Sequence, residues 1–96
     1  MANTVTDNGA AQRYEMDTGG KSAFVTYRRA AGVVTLLHAE VPAELAGRGL
    51  GSQLARGALE LAREQGYKVV PRCPFIANYA KRHPEFQDLI VAPPPP

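Results

Sequence analysis

Three glycines alternate in Gly47-Arg48-Gly49-Leu50-Gly51-Ser52, just ahead of a segment with a strong apolar period. Residues without a Cβ let a backbone approach an anion and turn several amide hydrogens toward it. A helix starting here adds its unsatisfied N–H groups and the positive end of its dipole. That chemistry favours a phosphate or pyrophosphate; the plain alternative is a tight glycine turn into the helix. A Walker loop needs Gly-Lys-Ser/Thr, but Gln53 follows Gly51-Ser52, so the usual P-loop is excluded. A dinucleotide fingerprint needs a third glycine where Ser52 stands and a strand directly ahead, whereas six residues separate Val41 from Arg48.

Four side chains elsewhere have types suited to acid, base or nucleophilic work. Cys73 precedes Pro74, a residue suited to the first position of a helix, and follows Arg72. As an N-cap it meets a helix dipole and a cation, which would activate the thiol as a nucleophile; a free cysteine also serves as a small buried hydrophobe. His38 and Glu40 stand two apart on a predicted strand and therefore share a face. Glu40 could take a proton directly or through water, or could merely pair with an arginine while His38 is hydrogen-bonded in the sheet. Tyr79 falls at helical spacing with Phe75 and His83, as a packed helix face requires. No Cys-rich zinc site can be built from one cysteine, and no metal is expected.

The elements that position these residues follow from periodicity. Residues 12–17 alternate loosely around Tyr14 and Met16, and Thr18-Gly19-Gly20 supplies a turn. Residues 22–29 alternate as a strand does, and Gly32 turns the chain again. Residues 33–41, β-branched and nearly continuous in apolar character at their start, predict a central strand covered on both faces. Leu50, Leu54, Ala58 and Leu61 recur at helical spacing over 50–65, and Gly66 suits the C-terminal cap. Residues 67–70 form a short strand whose ladder Pro71 ends, and a second helix runs from Pro74 to about His83, where Pro84 stops it. Residues 85–91 predict a last short strand.

The order β-β-β-α-β-α-(β) gives a mixed, mainly antiparallel sheet with packed helices, an α+β (α/β-type) sandwich. Residues 1–11 show no apolar period and are expected to be a disordered tail. The domain spans 12–91, and the proline-rich 92–96 forms a solvated end.

The chain has 96 residues, 45% hydrophobic and 21% charged, a balance suited to one globular domain. A domain this short buries only about 60% of its unfolded surface, so a site should be a surface groove rather than a deep cavity. Eleven Lys plus Arg against nine Asp plus Glu give a net charge of +2, too small and scattered for nucleic-acid binding. One cysteine fits a reducing cytoplasm. The start lacks a secretory signal pattern, and no apolar run approaches the roughly 20 residues needed to cross a bilayer, so no membrane role is expected.

The glycine loop and its surroundings resemble the GNAT acetyltransferase superfamily, in which a strand ending in Val-x-Pro leads through a short loop to Arg/Gln-x-x-Gly-x-Gly/Ala at a helix start. Here the segment reads Val41-Pro42-Ala43-Glu44-Leu45-Ala46-Gly47-Arg48-Gly49-Leu50-Gly51-Ser52, with Ala46 in place of the usual Arg or Gln. With His38-x-Glu40, Val70-Pro-x-Cys73-Pro-Phe and Tyr79-x-x-x-His83-Pro-Glu, it is similar to the short single-domain members over about residues 12–91.

The resemblance implies acetyl-CoA or coenzyme A as cosubstrate, with amides of Gly47, Arg48, Gly49, Leu50, Gly51 and Ser52 around the pyrophosphate and backbone near Glu40 and Val41 along the pantetheine. It implies acetyl transfer to a primary amine, which needs a base for the amine, polarisation of the thioester carbonyl and a proton for the departing thiolate. It places His38 and Glu40 near the thioester, Cys73 where short members carry a cysteine, and Tyr79 where many members supply a general acid. Members of full length carry extra helices between their first two strands; the short turn here leaves an open groove suited to a protein or peptide lysine. The alternative is a catalytically weak or inactive CoA-binding or interaction module. The acceptor and the oligomeric state stay open.

Overall fold

The computed structural model describes residues 4–18, 20–43 and 49–91. Among them, five strands form one sheet in sequential spatial order: β1 (Val5–Asn8), β2 (Arg13–Asp17), β3 (Ser22–Ala30), β4 (Val33–Glu40) and β5 (Lys68–Pro71). The first four are joined by short turns and run antiparallel; β5 lies parallel to β4 because helix α1 (Leu50–Glu64) intervenes and carries the chain back. Ala31 and Gly32 take φ of 53° and 79° between β3 and β4, the left-handed pair that matches the twist of a two-residue hairpin.

Strand alternation puts Tyr14, Met16, Val25, Tyr27, Val34 and Leu36 on one face. They pack against Leu54, Ala58 and Leu59 of α1 and Ile76 of helix α2 (Pro74–Arg82). Cys73 is the N-cap of α2 and Pro74 its first residue, as predicted. Gly66 follows α1 at φ 81°, a conformation in which glycine meets no Cβ penalty.

Three expectations are corrected. Residues 1–11 are not a tail throughout: β1 pairs Val5 with Met16 and Asn8 with Arg13. Its one buried apolar side chain, Val5, is too sparse a signal to show a period. It packs on Gly57 of α1, where an added Cβ would stand 2.2 Å from Val5 Cγ2.

The strand at 33–40 is covered on one face only, among the described residues. A bulge pairs Tyr27 with Leu36 but Thr26 with His38, leaving Leu37 as the extra residue. The inward phase then passes from Val34 and Leu36 to Ala39, and the apolar run reflects that change of phase rather than double coverage. Finally, 85–91 is no strand. Phe86 and Leu89 are buried three residues apart, a helical spacing, so the segment coils through a short 3-10 turn (Pro84–Phe86) and only Ile90 bridges Val69. Residues 1–3 and 92–96 lie outside the described residues.

Candidate active site

β4 is longer than its parallel partner. The pairing of β4 with β5 ends at Leu36 and Pro71, while β4 continues to Glu40. Proline has no amide hydrogen with which to extend the ladder. The chain then turns through Arg72, whose N–H donates to Val70 O at 3.1 Å, and Cys73 N–H closes the seam on Leu36 O at 2.9 Å. Beyond that bond the strands part, with Cys73 at the apex of the gap.

Tyr27 N–H donates toward β2, to Gln12 O. By alternation Val25 also points its peptide groups toward β2, and its partner Ala39 points its own away from β3, into the gap. Ala39 thus offers the N–H and C=O that an extended ligand arm can pair with. The sequence pattern placed this role near Glu40 and Val41; of these, Val41 is half-buried against the core, and Glu40 is paired across to Phe24.

On the helix side, Gly49 caps α1 with φ 74° and no side-chain cap bond. Its carbonyl accepts the Gln53 N–H at 3.2 Å. The N–H groups of Leu50, Gly51 and Ser52 precede that first helical bond and have no intrahelical acceptor. Phe75, in the first turn of α2, lies against Gly51: a Cβ there would stand 2.8 Å from Phe75 Cζ. The first turns of both helices therefore meet at this corner, two residues from Cys73. Three amides, a backbone open to close approach and the N-terminal dipole end of α1 suit an anionic group such as a pyrophosphate. Gly47 and Arg48 lie outside the described residues.

His38 and Glu40 share the face opposite the helices, with Nε2 and Oε1 3.9 Å apart and both side chains more than half exposed (65% and 59%). At that distance they form a loose ion pair when His38 is protonated, beyond hydrogen-bond contact. Cys73 is 5% exposed and its side chain makes no capping hydrogen bond.

Tyr79 is 3% exposed, stacks on His83 with ring centroids 3.8 Å apart, and lies 6.2 Å from the Phe86 ring. His83 Nδ1 sits 2.7 Å from Tyr79 O. Glu85 accepts a hydrogen bond from Arg56 Nη2 at 2.8 Å and thereby raises the guanidinium above its ordinary value. Phe75 does not share this packed face, contrary to the helical spacing: it is 40% exposed.

Phe75 and Leu37 (41%) are the exposed large hydrophobics among the described residues, and they flank the gap. Leu37 was not legible as a site residue, because the bulge that exposes it depends on pairing with β3. The adjacent Leu36-Leu37, which breaks strict alternation, was the available signal. Among the described residues no cluster of three or more His, Cys, Asp or Glu is arranged to hold a metal ion, and no helix is long and apolar enough to cross a membrane.

A mixed sheet that parts between its parallel strands, with a glycine-opened helix start at the parting, defines the fold of a GNAT-type N-acetyltransferase. The model of the GCN5-related N-acetyltransferase family matches residues 13–89, and the chain belongs to that family. It is 38% identical over 52 residues to "Protein NATD1" of Gallus gallus and of Mus musculus; the match takes in 54% of this chain and 47% of those proteins. A solution structure of a GCN5-like protein from Staphylococcus aureus superposes with a TM-score of 0.69 at 24% identity, over 98% of this chain and 94% of that one, which is likeness of fold.

Proposed function

We propose that the chain binds acetyl-CoA at this gap and transfers the acetyl group to a primary amine. The observation that supports this best is the parting of β4 from β5 at Cys73 beside the open amides of α1. Acetyl-CoA, when bound, supplies an acetyl group already activated as a thioester. The amides of Leu50, Gly51 and Ser52 offset the pyrophosphate charge, and the Ala39 peptide groups align the pantetheine arm as an added strand. Glu40, on the open face beside His38, takes the proton from the incoming ammonium through a carboxylate oxygen. Cys73 Sγ, at the end of the seam, holds the acetyl transiently or returns a proton to the departing thiolate in this reading. Tyr79, nearly buried and stacked on His83, serves the packing of α2 in this reading.

Calorimetry with CoA and acetyl-CoA, followed by mass spectrometry after incubation with acetyl-CoA and amines, tests the reading. Micromolar binding and an acetylated peptide lysine are expected. Binding without any acetylated product would leave a CoA-binding module, and absence of binding would overturn the assignment. Turnover of small polyamines but not of peptide amines would overturn the peptide acceptor. Work in the cytoplasm is part of the same proposal.

A further inference from the structure

The face of the sheet opposite the helices carries a groove of about 310 Å³ whose lining includes Val33, Thr35, Val70 and Val91, with Arg28 at its side. Its position relative to the gap is set by register. Thr35 and Val70 pair in the groove, and the next pair, Leu36 with Pro71, is the last before the strands part. Groove and gap are therefore one continuous track, with the exposed Leu37 at their junction.

The track changes charge along its length. At the gap stand Glu40, paired across to Phe24, and His38, paired across to Thr26. Beside the groove stands Arg28, paired across to Thr35, with no ion pair to another described residue. Past Arg28 the groove runs on along Ala30 and Val33. A carboxylate at the gap, a cation further along and an apolar groove beyond it complement an extended peptide with a lysine at one end, an acid further along and an apolar residue after that.

Spacing makes this specific. Phe24 and Arg28 share the open face of β3 four residues apart, about 13 Å at the usual strand rise. An extended peptide covers the same distance in four residues.

We propose that this track docks the acceptor: an extended peptide whose reactive lysine lies at Glu40, whose acidic residue four positions away meets Arg28, and whose apolar residue about two positions further enters the groove. The proposal rests on the acetyltransferase reading and deepens it by naming the substrate class.

The test uses the full chain and nine-residue fluorescent peptides carrying Lys, Asp four positions away and Val two beyond, in both chain directions, with matched peptides bearing Lys for Asp. Anisotropy without cofactor reads docking, and kcat/KM with acetyl-CoA reads transfer. One direction of the Asp peptide is expected to bind and react at least tenfold better than its Lys counterpart, and Arg28→Glu to reverse that preference. Arg28 lies outside the cofactor corner, so CoA affinity of the variant should match the wild type and report an intact fold.

Equal response to the Asp and Lys peptides, or a preference that Arg28→Glu leaves unchanged, overturns the docking track. Amide shifts at Thr35, Val70 and Val91 that follow protein concentration would assign the groove to a second copy. The same shifts on deletion of residues 92–96 would assign it to the chain's own end. Either result overturns the proposal. If CoA does not bind the wild type, the acetyltransferase reading fails, while the cofactor-free anisotropy still decides whether the track docks the peptide.

Discussion

Cys73 joins two duties at one position. Its backbone ends the seam between β4 and β5, through the bond from its N–H to Leu36 O, and its nearly buried side chain faces the packing around the head of α2. A small apolar residue can meet the packing duty, so Cys73→Ala should cost no more than about 1 kcal/mol in stability and leave CoA affinity within about twofold. If the thiol handles the acetyl group or a proton, kcat falls by roughly a hundredfold, the ordinary scale of one lost catalytic group. Near-normal kcat would reduce Cys73 to packing and leave direct transfer aided by Glu40. The pairing of His38 with Glu40 was legible because period two needs only local backbone geometry. The exposure of Phe75 was not, since helical spacing says which residues share a stripe but not what the stripe meets; here its first turn meets Gly51.

Among the elements, α1 sets more of the architecture than its apolar stripe suggests. A Cβ at Gly57 would stand 2.6 Å from Val5 Cβ, so its absence lets β1, paired with β2, pack closely on α1. Gly57→Ala must push β1 aside, a change of about 1–3 kcal/mol in line with overpacked cores. The loss should appear as a lower Tm together with faster amide exchange in residues 5–8, whereas protection in β3 and β4 falls only with global stability. An unchanged Tm would mean that Val5 can rotate away at little cost. The bulge in β4 acts at the same scale: one extra residue, Leu37, turns Ala39 inward and sets His38 and Glu40 on the open face.

For the molecule as a whole, a polar network ties one end of the first three strands to the C-terminal end of α1. Asp7 of β1 accepts hydrogen bonds from the Tyr27 hydroxyl, from Arg29 at 2.8 Å and from Gln65 Nε2 at 2.9 Å, while Tyr14 donates to Gln65 Oε1 at 2.9 Å. Arg29 also lies over the Tyr27 ring, 4.6 Å from its centroid. Burial pushes the Asp7 carboxyl up, but the bonds from Tyr27, Gln65 and Arg29 together outweigh it and hold the group below the ordinary carboxylate value. Burial first, and then the Asp7 charge, push the Tyr14 hydroxyl up to about 12.

Because the folded state holds the Asp7 proton less tightly than the unfolded state, this stabilisation is present above the unfolded value of 3.8 and is lost as pH falls through the lower folded value. Asp7→Asn should therefore lower stability near neutral pH by about 1–2 kcal/mol and give a shallower decline below about pH 4 in urea titrations. An acid limb as steep as that of the wild type would remove Asp7 as its source.

Much of this protein is written in local order. Period-two and period-3.6 patterns mark β2 to β4 and both helices, Pro74 marks the start of α2, and the glycines before Leu50 mark an anion-suited helix entry, because backbone sterics and amphipathic burial act within a few residues. Contacts between segments distant in the chain decide the rest. Val5 becomes a strand residue by pairing with Met16 and packs closely because Gly57 lacks a Cβ, Leu37 is expelled by register with β3, and Phe86 and Leu89 coil because the core receives them at helical spacing. The gap itself is of that second kind: it exists because β5 stops at Pro71 while β4 runs on, a difference in length that has meaning only once the two strands lie side by side.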